Sequence, residues 1–163
     1  MVLWLVASLL ALPINAPARP EPSAGTVQVR IVTDEADAVL AILASNRAKR
    51  PIRDSDWRRL FASEGYRRLK ERERKMGRAF DDVAFKSFVL SAKLAEREQA
   101  LTDALEKWKH ADTTRAAGLA LAYLPKGARI KAKIYPVIKL RTNSFVFQDR
   151  GDRAIFLYLD PTS

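Results

Sequence analysis

The sequence predicts an α+β fold, an N-terminal helical region followed by a small, mostly antiparallel sheet. Three observations lead there. Between Asp34 and Leu124 the apolar residues recur at three- and four-residue spacing, the period of helices with one buried face. After Pro125 the period falls to two, with Ala128, Ile130, Ala132 and Ile134 alternating with Arg129, Lys131, Lys133 and Tyr135. Two further β-rich runs, 143–148 and 153–159, flank the turn-forming Asp149-Arg150-Gly151-Asp152. At 163 residues the chain is long enough for one domain with a sizeable core.

Taken in order, Met1–Ala18 has the form of an export signal. Val2–Leu12 is an unbroken run of apolar and small residues, too short to span a bilayer, and Ala16-Pro17-Ala18 offers small residues for cleavage. Once the signal is removed no transmembrane span is expected, and the product is placed in the periplasm or outside the cell. Residues 19–25, with Pro20, Pro22, Ser23 and Gly25, form a flexible lead into the fold. A strand plus helical region then covers 26–124, and a β-sheet region covers 125–163.

Thr26–Val32 alternates Val27, Val29 and Ile31 with Gln28 and Arg30, the pattern of a half-exposed strand. Thr33 or Asp34 caps a helix whose inward residues are Ala36, Val39, Leu40 and Leu43, with Glu35 and Asp37 placed favourably for its dipole. Asp54 or Ser55 opens a short helix carrying Trp57, Leu60 and Phe61. A third, Glu64–Met76, is mostly charged apart from Tyr66, Leu69 and Met76, and Gly77 closes it. Asp81 and Asp82 start a longer helical region through Phe85, Phe88, Val89, Leu94, Leu101, Leu105 and Trp108, either a hairpin or one broken helix. Asp112 caps a last helix that stops before Pro125.

The final apolar run is informative. Ile155, Leu157 and Leu159 point one way from a strand, Phe156 and Tyr158 the other, so both faces carry large apolar side chains. Such a strand belongs inside a sheet that is covered above and below. Asp160-Pro161-Thr162-Ser163 then has the form of a helix cap and first turn. The expectation is an incomplete domain.

Composition removes several chemistries. There is no cysteine, which excludes disulfides, iron–sulfur clusters, cysteine nucleophiles and Cys-type zinc sites. His110 is the single histidine, so no zinc site of two or three histidines can be built from this chain. No glycine-rich phosphate loop, G-x-S-x-G or dinucleotide fingerprint occurs.

Net charge is +10, and Asn46–Arg78 alone holds thirteen Lys or Arg against five acids. Such a surface could attract nucleic acid, anionic lipid or an acidic envelope polymer. Export argues against nucleic acid. The Arg67–Lys75 stretch, including Glu71-Arg72-Glu73-Arg74, has the pattern of a solvated helix face. Arg129, Lys131 and Lys133 share a face with Tyr135, an arrangement that can bind single-stranded nucleic acid, but lysines guarding an exposed edge strand explain it more simply. His110 follows Trp108 near a helix end, where it can bond terminal carbonyls. Asp81 and Asp82 are explained by helix capping, since adjacent helical side chains diverge. No catalytic, cofactor-binding or metal-ligating residue is assigned.

Several segments resemble a bacterial family of zinc-dependent proteases of the gluzincin type: Thr33–Leu40, Trp57–Tyr66, Ala122-Tyr123-Leu124-Pro125, Arg141–Phe147 and Ile155–Pro161. The resemblance covers roughly Val29 to the end. In that family a His-Glu-x-x-His helix follows the strand corresponding to the last one here; its histidines bind zinc and its glutamate activates the metal-bound water. None of those residues occurs in this chain, so no zinc or catalytic position is carried over. The resemblance implies the N-terminal part of an exported zinc metallopeptidase, without activity by itself and partnered by a zinc-binding segment outside the sequence. The competing expectation is a non-enzymatic basic module that binds an acidic envelope polymer or a partner protein.

Overall fold

A computed structural model describes residues 26–149 and 152–159. The export signal, the flexible lead, Arg150-Gly151 of the final turn and Asp160–Ser163 lie outside them. Among the described residues the order is β1 (Thr26–Ile31), α1 (Asp34–Arg47), α2 (Asp54–Ala62), α3 (Glu64–Lys75), α4 (Asp82–Val89), α5 (Ala92–Ala95), α6 (Glu98–Lys109), α7 (Thr113–Leu121), β2 (Arg129–Val137), β3 (Phe145–Asp149) and β4 (Asp152–Tyr158). The α+β reading stands.

The sheet order is β1-β2-β4-β3. β1 and β2 run parallel, in register from Thr26↔Arg129 to Ile31↔Ile134, and β2 and β4 are parallel from Lys133↔Ala154 to Val137↔Tyr158. Only the β3–β4 hairpin is antiparallel. The sheet is therefore mixed, and the expected mostly antiparallel pairing holds for one of its three contacts. The physical reason lies in connectivity: the whole helical region separates β1 from β2, which permits the parallel crossover that a tight turn forbids. β4 is an interior strand, as its two apolar faces required.

Local chemistry explains most helix limits. Asp81 accepts from the Ala84 amide at 2.7 Å and caps α4. Ser63 caps α3 and Asp112 caps α7 through Tyr66 N and Arg115 N. Gly77 adopts φ 65° just past the end of α3, a left-handed conformation that glycine takes without a side-chain clash. The long helical region is broken rather than hairpinned, at Leu90-Ser91 and Glu96-Arg97.

Two apolar clusters hold the fold. The larger gathers Val39, Ile42 and Leu43 of α1 with Trp57, Leu60, Tyr66, Phe85, Leu101 and Leu105, and reaches Ile138 and Leu159 at the ends of β2 and β4. The smaller lies on one sheet face and joins Tyr135, Val137, Ala154 and Phe156 to Val32 and Leu69 of α3. Tyr135, Phe156 and Phe145 stack in series across three strands, with centroids 4.8 and 4.9 Å apart. α3 lies over this stack and covers it with cations: Arg68 over Tyr135, Arg72 over Phe145 at 3.8 Å and Lys75 over Phe147.

Candidate functional site

The parallel strands β1, β2 and β4 all end at the same edge of the sheet, the edge where open α/β sheets place their binding crevices. Three features meet near it: a buried carboxyl, a buried amine and an apolar groove.

Glu35 stands in the first turn of α1, where the sequence suggested a solvated helix-dipole acid. It is instead 1% exposed. The amide of Ile138, just past β2, donates to its Oε2 at 3.0 Å, while Oε1 has no hydrogen-bond partner among the described residues. Burial pushes its pKa up to about 8, against the smaller opposing effects of the Ile138 amide and Lys139. Its neighbour Asp34 joins two helices, accepting from the amides of Glu64 at 2.5 Å and Gly65 at 3.1 Å at the start of α3. The helix starts approach so closely that a Cβ on Gly65 would lie 2.9 Å from Glu35 Cβ.

Lys139 is also buried. Its ammonium donates to the carbonyl of Arg141 and to Asn143 Oδ1, and lies over the rings of Phe145 and Tyr158. Burial lowers its pKa to about 8, countered by the nearby charge of Glu73. Glu73 itself is buried, paired with Arg72 and with Arg78 at 3.5 Å. A cavity of about 50 Å³ lies among Leu69, Glu73, Phe80, Lys139 and Arg141. That is room for a water or two and too little for a peptide or sugar. The cluster can bind and release protons near pH 8.

The groove is larger, about 530 Å³. One wall is a face of α6, Ala100, Ala104 and Trp108 with Asp103 and Lys107 between them, continued by Ala111 past its end. The opposite wall is Leu157, Tyr158 and Leu159 of β4 and its end. Leu101 and Leu105 are in the core, and Ala104 and Trp108 pack against it, so the groove wall is the outer margin of one broad apolar face of α6. The groove opens onto the second face of the sheet. There Val27, Val29, Ile31, Ile130, Ala132, Ile134, Ile155 and Leu157 are only half-buried, and Val146 is 68% exposed. None of them belongs to either core cluster.

The residues singled out from sequence fall as follows. His110 is exposed at the end of α6, its Nδ1 2.8 Å from the Glu106 carbonyl oxygen, and no catalytic partner adjoins it. Asp81 caps, but Asp82 does not: it accepts from the Tyr66 hydroxyl and from Lys70, both at 2.6 Å. These hydrogen bonds, that from Lys70 foremost, hold its pKa below the usual aspartate value. Arg129, Lys131, Lys133 and Tyr135 share a face as expected; β4 pairs with β2 only from Lys133 onward, so Arg129 and Lys131 lie where β1 is the one neighbour of β2 among the described residues, and Lys133 lies in the sheet interior. Tyr135 is 0% exposed beneath α3 and cannot stack on a base. Its hydroxyl donates to Glu64 at 2.7 Å, and Lys133 donates to the same oxygen at 2.6 Å. Partial burial would raise the Glu64 carboxyl, but these two donors and the Arg68 charge together hold it below the usual glutamate range.

The basic run also divides. Arg47, Arg68, Lys70, Arg72, Arg74, Lys75 and Arg78 are taken up in ion pairs. Lys49, Arg50, Arg53, Arg58, Arg59 and Arg67 remain exposed.

Sequence reasoning missed Glu35, Lys139, Glu73 and the outer stripe of α6. The alanines at 100, 104 and 111, spaced with Trp108, were the signal for the last. Among the described residues no group of three or more acidic or imidazole side chains could hold a metal ion, and none of the helices is long and apolar enough to cross a membrane. The described residues thus do not fit a zinc ion. No protein-family model matches the chain, and neither the curated proteins nor the solved structures contain a match.

Proposed function

We propose that this chain is the scaffold of an exported zinc-metallopeptidase-type unit, with the zinc-binding helix supplied by a segment outside its 163 residues. The observation that carries the reading is the apolar groove between α6 and the end of β4, continuous with a half-buried sheet face. An α-helix is about 10–12 Å across with its side chains. The small residues Ala100 and Ala104 let one approach α6 closely, and Leu157 and Leu159 offer it an apolar floor. The part of this sheet face that α7 leaves uncovered calls for an amphipathic element of the same protein or a tightly bound one. The resemblance of Arg141–Phe147 and Ile155–Pro161 to gluzincin-type proteases supplies the identity of that element, a helix bearing His-Glu-x-x-His. This chain contributes the sheet and its helical cover, and no catalytic step runs through its residues.

The test reads the coding DNA beyond the codon for Ser163 in every frame. The expected result is a His-Glu-x-x-His segment within a few tens of codons, with stoichiometric zinc in the protein expressed together with it. A verified stop with no such motif in any frame overturns the proposal.

A further inference from the structure

The sheet face under α3 is covered over only half its length. Tyr135, Val137, Phe156 and Phe145 lie beneath the helix, whereas Gln28, Arg30, Arg129 and Lys131 on the same face are exposed beyond the start of α3. Register makes this an unfavourable arrangement in isolation. Arg30 lies directly across from Lys133, and Gln28 directly across from Lys131, which places Arg30 diagonal to Lys131 as well. Like charges opposite one another on neighbouring strands destabilise a sheet. Glu64 answers Lys133, but no ion pair reaches Arg30 or Arg129 among the described residues. Arg30 lies on the edge strand β1, and β2 meets β4 only from Lys133 onward, so Arg129 and Lys131 also lie beside an open strand side. A shallow depression of about 180 Å³ on this face is lined by Thr26, Gln28, Arg129, Ile130 and Lys131.

We infer that this uncovered half-face is a binding surface for a linear phosphate polymer. Alternate residues of a strand lie about 6.6 Å apart and neighbouring strands about 4.8 Å. Arg129, Lys131 and Lys133 therefore form a row, with Arg30 beside it, that meets successive phosphates of an extended chain rather than one isolated ion. Two of the four cations are arginines, whose planar forks grip phosphate oxygens in pairs. Base recognition is absent from the surface, since the adjacent Tyr135 is sealed beneath α3. The inference stands whether or not the peptidase reading holds.

The test uses the full chain with inorganic polyphosphate, measuring affinity across a salt series. The expected result is binding that weakens steeply with salt, and at least tenfold weaker binding by R30Q/K131Q. Loss of two contacts should lower the log–log salt slope by about 1.4. R58Q/R59Q removes the same charge from exposed positions on α2 and should change affinity less than about twofold. Relief of like charge should leave R30Q at least as heat-stable as the parent, and R129Q supplies an independent single-site variant. The inference is overturned if the parent does not bind, or if the two double variants lose affinity equally. It is also overturned if anionic vesicles or single-stranded DNA bind more tightly than polyphosphate at equal phosphate concentration.

Discussion

The two faces of the sheet are built from alternate residues of the same strands, yet they differ in kind. One carries Tyr135, Phe145, Ala154 and Phe156 under α3, with arginine and lysine side chains laid across the rings. The other carries mainly aliphatic residues, which stay half-buried although α7 packs against β1 and β2. The difference shows two ways to close a sheet. A highly charged helix can close an aromatic face, because long basic side chains bury their stems and keep their charged ends beside π-systems or carboxylates. An aliphatic face offers a cation nothing and waits for an apolar partner.

The comparison is broken most directly at its centre. Phe156→Ala should cost about 3–5 kcal/mol in urea unfolding, since the ring is fully buried between Tyr135 and Phe145. A cost below about 1 kcal/mol would mean that α3 does not seat on this stack. Arg72→Ala should be the next most damaging change, at roughly 3 kcal/mol, because it uncovers Phe145 and removes a partner from the buried Glu73.

The buried pair at the strand ends gives a pH signature. Folded Glu35 keeps its proton to about pH 8 instead of its ordinary 4.5. The folded chain thus binds more protons than the unfolded one across that window, and stability falls as pH rises through it. Lys139 releases its proton near 8 instead of 10.5, so the unfolded chain holds more protons above pH 8 and stability recovers there. A stability minimum near pH 8 is expected. Glu35→Gln should remove the fall and Lys139→Met the recovery, as followed by urea unfolding at each pH.

On the open face the effects shrink. Leu157→Ala should cost roughly 1 kcal/mol or less, and Leu157→Lys should reduce binding of an apolar dye without unfolding the chain. If the face is covered in a longer protein, the alanine change should cost two or more times as much there. Last, Arg74→Ala should lie within measurement error, because its pair with Glu71 is on the solvent side of α3.

Arg72 and Arg74 also show where sequence reading stops. Both belong to Glu71-Arg72-Glu73-Arg74, whose composition suggests a solvated face. Arg72 and Glu73 nevertheless replace the apolar residues that would normally finish the stripe begun by Tyr66 and Leu69, while Met76, expected inward, is 53% exposed. Helical phase sets Arg72 apart from Arg74, but only Phe145, far along the chain, supplies what Arg72 covers. Helix starts were legible because Ser63, Asp81 and Asp112 cap by local hydrogen bonds. The β3–β4 hairpin was legible from its turn. The parallel pairing of β1 with β2 was not, because alternation records which face a residue takes and not which strand lies beside it. Glu35 was hidden for the same reason: its surroundings come from Ile138 and Gly65, far along the chain.

The hydrogen bond from Ile138 to Glu35 joins residues 103 positions apart. β1 has no neighbour in the sheet other than β2, so the first strand to be synthesised has no partner until almost the whole helical region has been made. The helices of the larger cluster can assemble from nearer contacts, and the sheet must form late, around β2. Long loop closure of this kind slows folding. In refolding experiments the signal from Trp57 and Trp108 should therefore appear before the protection of β1 amides from hydrogen exchange, and a chain cut after α7 should keep helical content while leaving β1 unpaired.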